Sequence, residues 1–459
     1  MSPLSLHPSW TTLESLHDVQ SALLRRMVDR CLLDHPRYRT LLAGQGIRAG
    51  DVTTLADLAR LPITTKADFV ADPEGYRLEV DPDQWDDVLA DVMYTAGTTT
   101  GRPTPIYSTA HDQRAILFAQ LRMAAIRGLT RRDRIANLYP LAPVPHGGWN
   151  RPTQAAAALG APVVVGMGGV QDERFPVTRR LDGVLDVLAD FNPSVLWGVP
   201  SYLDRLLRRA AERALRLPSV RMMAVSGEPC GPNQRLGLLA LSEALGAGGA
   251  VVSDSLGASE LQFSLVECPD GGGFHNPAPE LAHVAVLDDH GLPVPDGEPG
   301  RLAYTHLDRA GTVLLRFLVG DRAVLDASPC PGCGWLGGRV VTHLGRDDAF
   351  TKVRGNLLSI PALHEAIAGV EGVADHRVVI AGGDGRMDTM AVHVAVTPGV
   401  TTAGTEAAVA LAVRGAVGVR PEVTLVDLNQ IFSAEDRLKP RRFIDQRHSV
   451  PNTKEPTHG

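Results

Sequence analysis

Apolar residues recur at helical spacing from residue 12 to residue 35, which predicts one long amphipathic helix ended by Pro36. Residues 55–61 and 65–70 form two shorter helical pieces. A strand-like run at 91–94 leads into a polar stretch, and residues 112–127 are helical again, with Ile116, Leu117, Ala119 and Leu121 on the apolar face. From there the pattern alternates. Short apolar runs at 135–139, 162–165, 195–197, 222–226 and 249–252 predict strands, and helical stretches at 155–159, 181–191, 201–215 and 236–245 lie between them. Such alternation predicts a layered α/β core with mostly parallel strands. The runs at 282–287, 300–305 and 312–317 are β-rich, and a boundary falls near 345–348. Beyond it, strands at 350–353, 375–380, 390–396 and 422–426 and helices at 359–367 and 406–416 predict a compact α+β unit of roughly 110 residues. The polar end from residue 446 is expected to be disordered.

Composition narrows the function classes. At 459 residues the chain suggests two or three domains. A net charge of −7 and the lack of a long Lys/Arg run argue against nucleic acid or an anionic membrane as partner. The longest apolar runs are too short to span a bilayer, and residues 1–10 lack the pattern of a signal peptide. Five cysteines, two of them in a Cys-x-x-Cys, suit a reducing compartment, so a cytoplasmic protein is expected.

The polar stretch is Tyr94-Thr-Ala-Gly-Thr-Thr-Thr-Gly-Arg-Pro-Thr104. Its hydroxyls and open backbone N–H groups suit a phosphate, although a threonine-rich surface turn has the same composition. It is not a Walker A loop, because Gly101-Arg102-Pro103 stops a helix from starting. The stretch resembles the phosphate loop of the adenylate-forming superfamily of acyl-CoA synthetases, adenylation domains and luciferases, roughly Ser-Ser-Gly-Thr-Thr-Gly-Lys-Pro. Here there is one threonine more, and Arg102 replaces the lysine. The resemblance implies that Thr95, Gly97, Thr98, Thr99, Thr100, Gly101 and Arg102 hold the triphosphate of ATP. An early segment, Leu61-Pro-Ile-Thr-Thr-Lys-Ala-Asp68, is similar to one found in the phenylacetate-CoA ligase branch.

Further motifs follow in the superfamily's order. Ser253-Asp-Ser-Leu-Gly-Ala-Ser-Glu260 sets a carboxylate after a small-residue turn, where a solvated glutamate or a Mg²⁺ ligand both fit. It resembles Tyr-Gly-x-Ser/Thr-Glu, which implies that Gly257 and Ser259 line the nucleotide site and Glu260 positions Mg²⁺; Leu256 stands where the tyrosine would. Arg316-Phe-Leu-Val-Gly-Asp321 reads as a strand ending on an aspartate, or as a Gly-Asp turn. The resemblance assigns Asp321 to the ribose hydroxyls. Gly345-Arg-Asp-Asp-Ala-Phe-Thr-Lys-Val-Arg-Gly355 resembles the crossover into the C-terminal domain, implying that Arg346 meets ribose or phosphate and Asp348 is the hinge; Ala349 replaces a second aspartate.

Arg437-Leu-Lys-Pro-Arg-Arg-Phe-Ile-Asp445 is a solvated basic turn on its own terms. It resembles the ending Gly-Lys-x-Arg-Arg-Val-Ile-Asp of the phenylacetate-CoA ligase branch, which makes Lys439 the catalytic lysine and puts Leu438 in place of the glycine. His146, in the proline-paced loop 137–148, is either a lone surface histidine or, by resemblance, a wall of the acyl pocket that gates thiol entry. Trp197-Gly-Val-Pro-Ser-Tyr202 and Ser226-Gly-Glu-Pro-Cys230 resemble two further pocket walls, with Cys230 replacing a tryptophan.

Cys330-Pro-Gly-Cys-Gly334 is a tight knuckle, and Cys268 and His275 upstream complete a Cys3His set expected to bind structural zinc with no open position. A redox Cys-x-x-Cys would open a helix after an early strand, which is not its context here. Some phenylacetate-CoA ligase relatives carry cysteines in the same places.

Taken together, the resemblance implies an N-terminal domain (1–345) with a zinc-knuckle subdomain at about 262–340, a hinge at 346–348, a small mobile α+β domain at 349–446 and a tail at 447–459. It implies ATP-dependent conversion of a carboxylic, expectedly aromatic, acid to an acyl-adenylate, then a thioester with coenzyme A. A carrier-protein thiol or an amine as acceptor, a non-catalytic nucleotide-binding role, and a monomer or homodimer all stay open.

Overall fold

The computed structural model describes residues 10–79, 83, 88–95, 103–141, 146–171, 176–346, 349–354, 356–383, 386–397, 399–400, 402–435 and 439–447. Helix α1 (Leu13–Asp34) starts at a capping box between Thr12 and Ser15 and buries Leu16, Leu24, Met27, Val28 and Cys31. Pro36 ends it and at once begins α2 (Pro36–Gly44), because proline at the first helical position loses no hydrogen bond. Residues 55–60 make a 3₁₀ turn. After β1 (Thr64–Thr65) and α3 (Lys66–Ala71), the strands β2 (Leu89–Tyr94) and β3 (Pro105–Thr109) form an antiparallel hairpin. Its tip bears the threonine-rich loop, and Thr109 caps α4 (Ala110–Ile126).

The alternating pattern becomes β4 (Ile135–Asn137), α5 (Gly147–Leu159), β5 (Val163–Val165), α6 (Leu181–Phe191), β6 (Val195–Gly198), α7 (Pro200–Glu212), β7 (Met222–Val225), α8 (Pro232–Ala244) and β8 (Val251–Ser253). The five strands are parallel, in the order β5-β4-β6-β7-β8. β6 and β7 are buried at every position, as strands covered on both faces must be. The order reverses about β4, and such a switch leaves a crevice at the carboxyl ends of the strands. Helix α5 corrects the sequence reading. It begins at Gly147, not Ala155, because two glycines and Pro152 mask its first half.

Strands β9 (Ser255–Gly257), β10 (Ser264–Glu267), β11 (Phe274–His275), β12 (Ala282–Leu287), β13 (Pro299–His306), β14 (Phe317–Asp326) and β15 (Arg339–Arg346) join in the order β12-β13-β14-β15-β11-β10-β9, with β1 against β14. The strand expected at 312–317 is instead a buried irregular segment. There the Leu314, Leu315 and Arg316 N–H groups donate to His306, the Tyr38 hydroxyl and Thr305, so they are not free for a ladder. Asp321 consequently lies within β14 rather than at a strand end or in a turn.

The C-terminal part holds the hairpin β16 (Phe350–Val353) and β17 (Asn356–Ser359), then α9 (Ile360–Ala368), β18 (Val373–Gly383), β19 (Arg386–Val396), α10 (Thr405–Val417), β20 (Glu422–Leu425), α11 (Leu428–Ile431) and β21 (Phe443–Asp445). Four strands run in the order β20-β19-β18-β21 over a core of their own, with Val378, Val392 and Val394 facing Leu363, Ile367 and Val409. Ile431, Phe432 and Ala434 instead enter the core of the parallel layer. A charged seam lies beside them: Arg205 on α7 reaches Asp375 at 2.7 Å, and Arg442 reaches the same carboxylate at 2.8 Å. Order extends past the expected start of the tail, since Arg447 pairs with Asp388 at 2.9 Å; residues 448–459 lie outside the described set. Among the described residues no helix is long and apolar enough to cross a membrane.

Candidate active site

A cavity of about 420 Å³ opens where β4, β6, β7 and β9 end. Tyr139 lies just past β4, Trp197 and Val199 at the end of β6, Ser226 and Gly227 past β7, and Gly257 to Ser259 past β9. This is the crevice that the reversed strand order predicts, and apolar walls with a few aimed polar groups are what a small-molecule site needs. His146 and Lys439 share this wall, so the expected residues His146, Gly257, Ser259 and Lys439 come together from segments almost 300 residues apart.

His146 is the N-cap of α5, not a lone surface histidine, and its Nδ1 accepts the Trp149 N–H at 3.3 Å. That contact makes Nδ1 the acceptor and leaves Nε2 to carry the proton of the neutral ring. Burial lowers its pKa, the Pro140 carbonyl opposes this, and Lys439 lowers it further, so the imidazole is neutral at neutral pH. Lys439 has an exposed stem, but its Nζ dips into the cavity and donates to the Gly227 carbonyl. Burial lowers its pKa, with Glu228 opposing.

Thr95 and Thr104 close the neck of the phosphate-type loop, Thr95 N–H to the Thr104 carbonyl at 3.0 Å and Thr104 N–H to the Thr95 hydroxyl at 3.1 Å. Tyr94 and Pro103 on that neck line the cavity, so the loop is tethered at its mouth. Gly97, Thr98, Thr99, Thr100, Gly101 and Arg102 lie outside the described residues, as do Asp348 and Leu438.

Glu260 sits in a 3₁₀ turn directly after Ser259 and is 2% exposed, which removes the solvated-glutamate alternative. Its Oε1 has no hydrogen-bond partner and forms an ion pair with Lys66 Nζ at 3.3 Å. A buried carboxylate with an open lone pair beside the cavity fits a hard cation. Leu256 turns into the core rather than the cavity, so no side chain from that position covers the site. Asp321 and Arg346 face each other across β14 and β15, with Nη1 to Oδ2 at 3.8 Å, and His343 reaches the other carboxylate oxygen at 2.9 Å. Neither is part of the cavity wall; they form a separate charged pair. Cys230 is buried and also stands off the wall, and burial pushes its thiol far up.

Gln120, Arg151 and Gln262 had no motif to announce them. These three add polar groups to the cavity wall, on which Tyr139 also bonds Ser226. The only sequence signal at Gln120 was helix periodicity, which counts it as one polar position in an apolar stretch.

Away from the cavity, Cys268, His275, Cys330 and Cys333 bring their ligand atoms within 4.8 Å of one another. His275 Nδ1 meets the Val266 carbonyl at 3.1 Å, which turns Nε2 toward Cys333 Sγ at 3.4 Å. A ring held this way through its other nitrogen is the usual support of a metal-binding histidine. Gly272 permits the approach, because a Cβ there would lie 2.4 Å from Cys330 Sγ.

Asp254 lies behind the cavity, and burial, with Glu267 adding, pushes its carboxyl up to about 7. An unfolded aspartate titrates near 4, so the folded chain holds an extra proton from about pH 4 to pH 7, and stability falls as pH rises through that window. Asp254→Asn keeps an acceptor for the Ser255 N–H and removes the titration. It is expected to exceed the wild type by about 2 kcal/mol at pH 8 and by little at pH 4. Urea unfolding at both values checks this; an equal gain at both would rule out titration as the cause.

The sequence matches the family described as AMP-binding enzyme over residues 21–306, and the AMP-binding enzyme C-terminal domain over 361–447. Phenylacetate-coenzyme A ligase of Thermus thermophilus is 27% identical over 395 residues, covering 84% of this chain and 82% of that protein. The Escherichia coli phenylacetate-coenzyme A ligase is 24% identical, covering 96% of this chain and 97% of that one. Among solved structures, 2-hydroxyisobutyryl-CoA ligase in its postadenylation state superposes with a TM-score of 0.79 at 24% identity, over 95% of this chain and 89% of that one. The same ligase in its thioesterification state gives 0.64 at 25% identity, over 97% and 92%.

Proposed function

Because this chain belongs to the AMP-binding enzyme family, we propose that it activates a carboxylic acid with ATP as an acyl-adenylate, releases pyrophosphate, and passes the acyl group to the thiol of coenzyme A. One observation carries the proposal: Lys439 Nζ reaches from the C-terminal part into the cavity at the ends of the parallel strands. Attack of a carboxylate on the α-phosphate brings two anions together, and a cation held in a desolvated site stabilises the charge that develops. Lys439 is therefore the catalytic residue of the first step. The tethered loop of Gly97 to Arg102 would hold the phosphates, with Gly257 and Ser259 against the nucleotide.

The pair of Asp321 and Arg346 is proposed for ribose, which requires the Arg346 contact to yield to the nucleotide. Glu260 would hold Mg²⁺, which neutralises phosphate charge when bound. Cys268, His275, Cys330 and Cys333 would hold zinc as a structural staple. His146 borders the path to the acid and donates through Nε2 to an oxygen there. The higher likeness to the postadenylation state supports reading this arrangement as the adenylating one. In this reading the C-terminal part turns about Asp348 and withdraws Lys439 to admit the thiol. An aromatic acid suits the apolar walls, and the phenylacetate-CoA ligase relatives point the same way.

The test is ATP–pyrophosphate exchange with a panel of aryl and aliphatic acids, followed by coenzyme A, pantetheine-loaded carrier protein or an amine as acceptor. Exchange that depends on the acid, and thioester that forms with coenzyme A, would support the proposal. ATP binding without exchange would point to a nucleotide-binding protein instead.

A further inference from the structure

The cavity wall carries polar groups that adenylation leaves unused. Gln120, on α4, is 1% exposed, and neither atom of its side-chain amide has a hydrogen-bond partner. Arg151, in the second turn of α5, is also buried. Its terminal nitrogens donate to Gln154 and Gln262, both at 2.5 Å, while its Nε has no partner. Both side chains line the cavity. Buried polar atoms without partners are rare and disfavour an empty or wholly apolar occupant.

The unmet groups define a partner. Arg151 Nε–H needs an acceptor, and the Gln120 amide offers a donor and an acceptor. A hydroxyl has one proton to give and two lone pairs, so it accepts from Arg151 and satisfies either end of the amide. Turning the amide over changes nothing, since both ends are free. A second carboxylate fits less well. Asp91 already faces this group, hydrogen-bonded to Gln113, which in turn meets Gln154 at 3.4 Å, and Asp91 Oδ1 is itself buried without a partner. A further anion would meet that charge at low dielectric.

We propose that the acid activated here carries a hydroxyl group besides its reacting carboxyl group, and that Gln120 and Arg151 receive it. This rests on the acid-activating reading above. The test compares matched aryl acids, unsubstituted, hydroxylated at each ring position, and carrying a second carboxylate. Each is measured for kcat/KM in pyrophosphate exchange and for binding by calorimetry, with wild type, Gln120→Leu and Arg151→Met.

One hydroxy acid is expected to exceed its unsubstituted partner by about tenfold or more in both readouts, since a site built for a hydroxyl rejects the analogue that lacks it. In Gln120→Leu the preference should shrink to within about twofold. Unfolding of Gln120→Leu at or above the wild-type temperature shows that the variant folds, and Gln120→Met replaces it otherwise. Equal binding of every pair, a preference that survives both substitutions, tightest binding of a dicarboxylic acid, or binding of none would each overturn the inference. Hydroxy-acid binding that depends on Gln120 without exchange would uphold it and remove the adenylation reading alone.

Discussion

Lys439→Ala is expected to lower acid-dependent pyrophosphate exchange by roughly 10²–10³-fold, while a supplied acyl-adenylate is still converted with coenzyme A to within about threefold of the wild-type rate. The split follows from where the nitrogen sits. In this arrangement Nζ lies in the cavity against the Gly227 carbonyl, beside the neutral imidazole of His146. It is the cation that the described part of the wall brings in from the C-terminal segment, so the first step loses the charge that offsets two approaching anions. In the proposed function the second step needs that charge out of the way. Single-turnover assays of each half-reaction measure the two effects separately. Equal losses in both would mean that the substitution disturbs the domain rather than the chemistry, and an unchanged exchange rate would remove Lys439 from the mechanism.

The second large effect is expected at the cysteine cluster. Wild type should contain about one zinc per chain by mass spectrometry, and Cys268→Ser or Cys330→Ser should contain close to none and melt roughly 5–10 °C lower. The reason is mechanical. Cys268 follows β10, His275 lies on β11, and the knuckle at Cys330 closes on the Trp335 carbonyl just before β15. Trp335 in turn donates to the Asn276 carbonyl and meets Trp10 edge-on at 5.6 Å. One ion would thus tie a short strand pair to a long one and to the N-terminal segment. β11 is only two residues long, too short to hold its place by ladder bonds alone. The same arm continues through β9 into Gly257 and Ser259, so KM for ATP should rise in the variants. A wild type free of metal, with a melting temperature unmoved by chelator, would sink this account.

The parallel layer was legible in the chain because strands buried on both faces read as unbroken apolar runs, and Val195 to Trp197 and Met222 to Val225 are such runs. Helix α5 was legible only in its alanine-rich second half. Its start depends on an imidazole cap, which no propensity scale counts. The segment 312–317 looked like a strand because its apolar residues are all buried, but three of its N–H groups are claimed by the side chains of His306, Tyr38 and Thr305. Lys439, His146 and the Cys3His set were singled out by residue type and motif, and the fold brings the first two to one cavity and gathers the four ligand atoms of the last within 4.8 Å. Gln120 and Arg151 were missed for want of a motif. A glutamine in a helix has many innocent uses, and only the lack of any partner in the folded chain marks it out.

Ile431, Phe432 and Ala434 leave the small domain's own core and pack into the core of the parallel layer. Any rearrangement that withdraws Lys439 must bring some of that apolar surface into water, and burying or exposing such surface changes the heat capacity. Hydrophobic contacts weaken on cooling, so the cold should loosen this arrangement more than the ion pairs beside it. The balance between the two half-reactions would then drift with temperature even where neither chemical barrier does, and an Arrhenius plot of the complete reaction should bend.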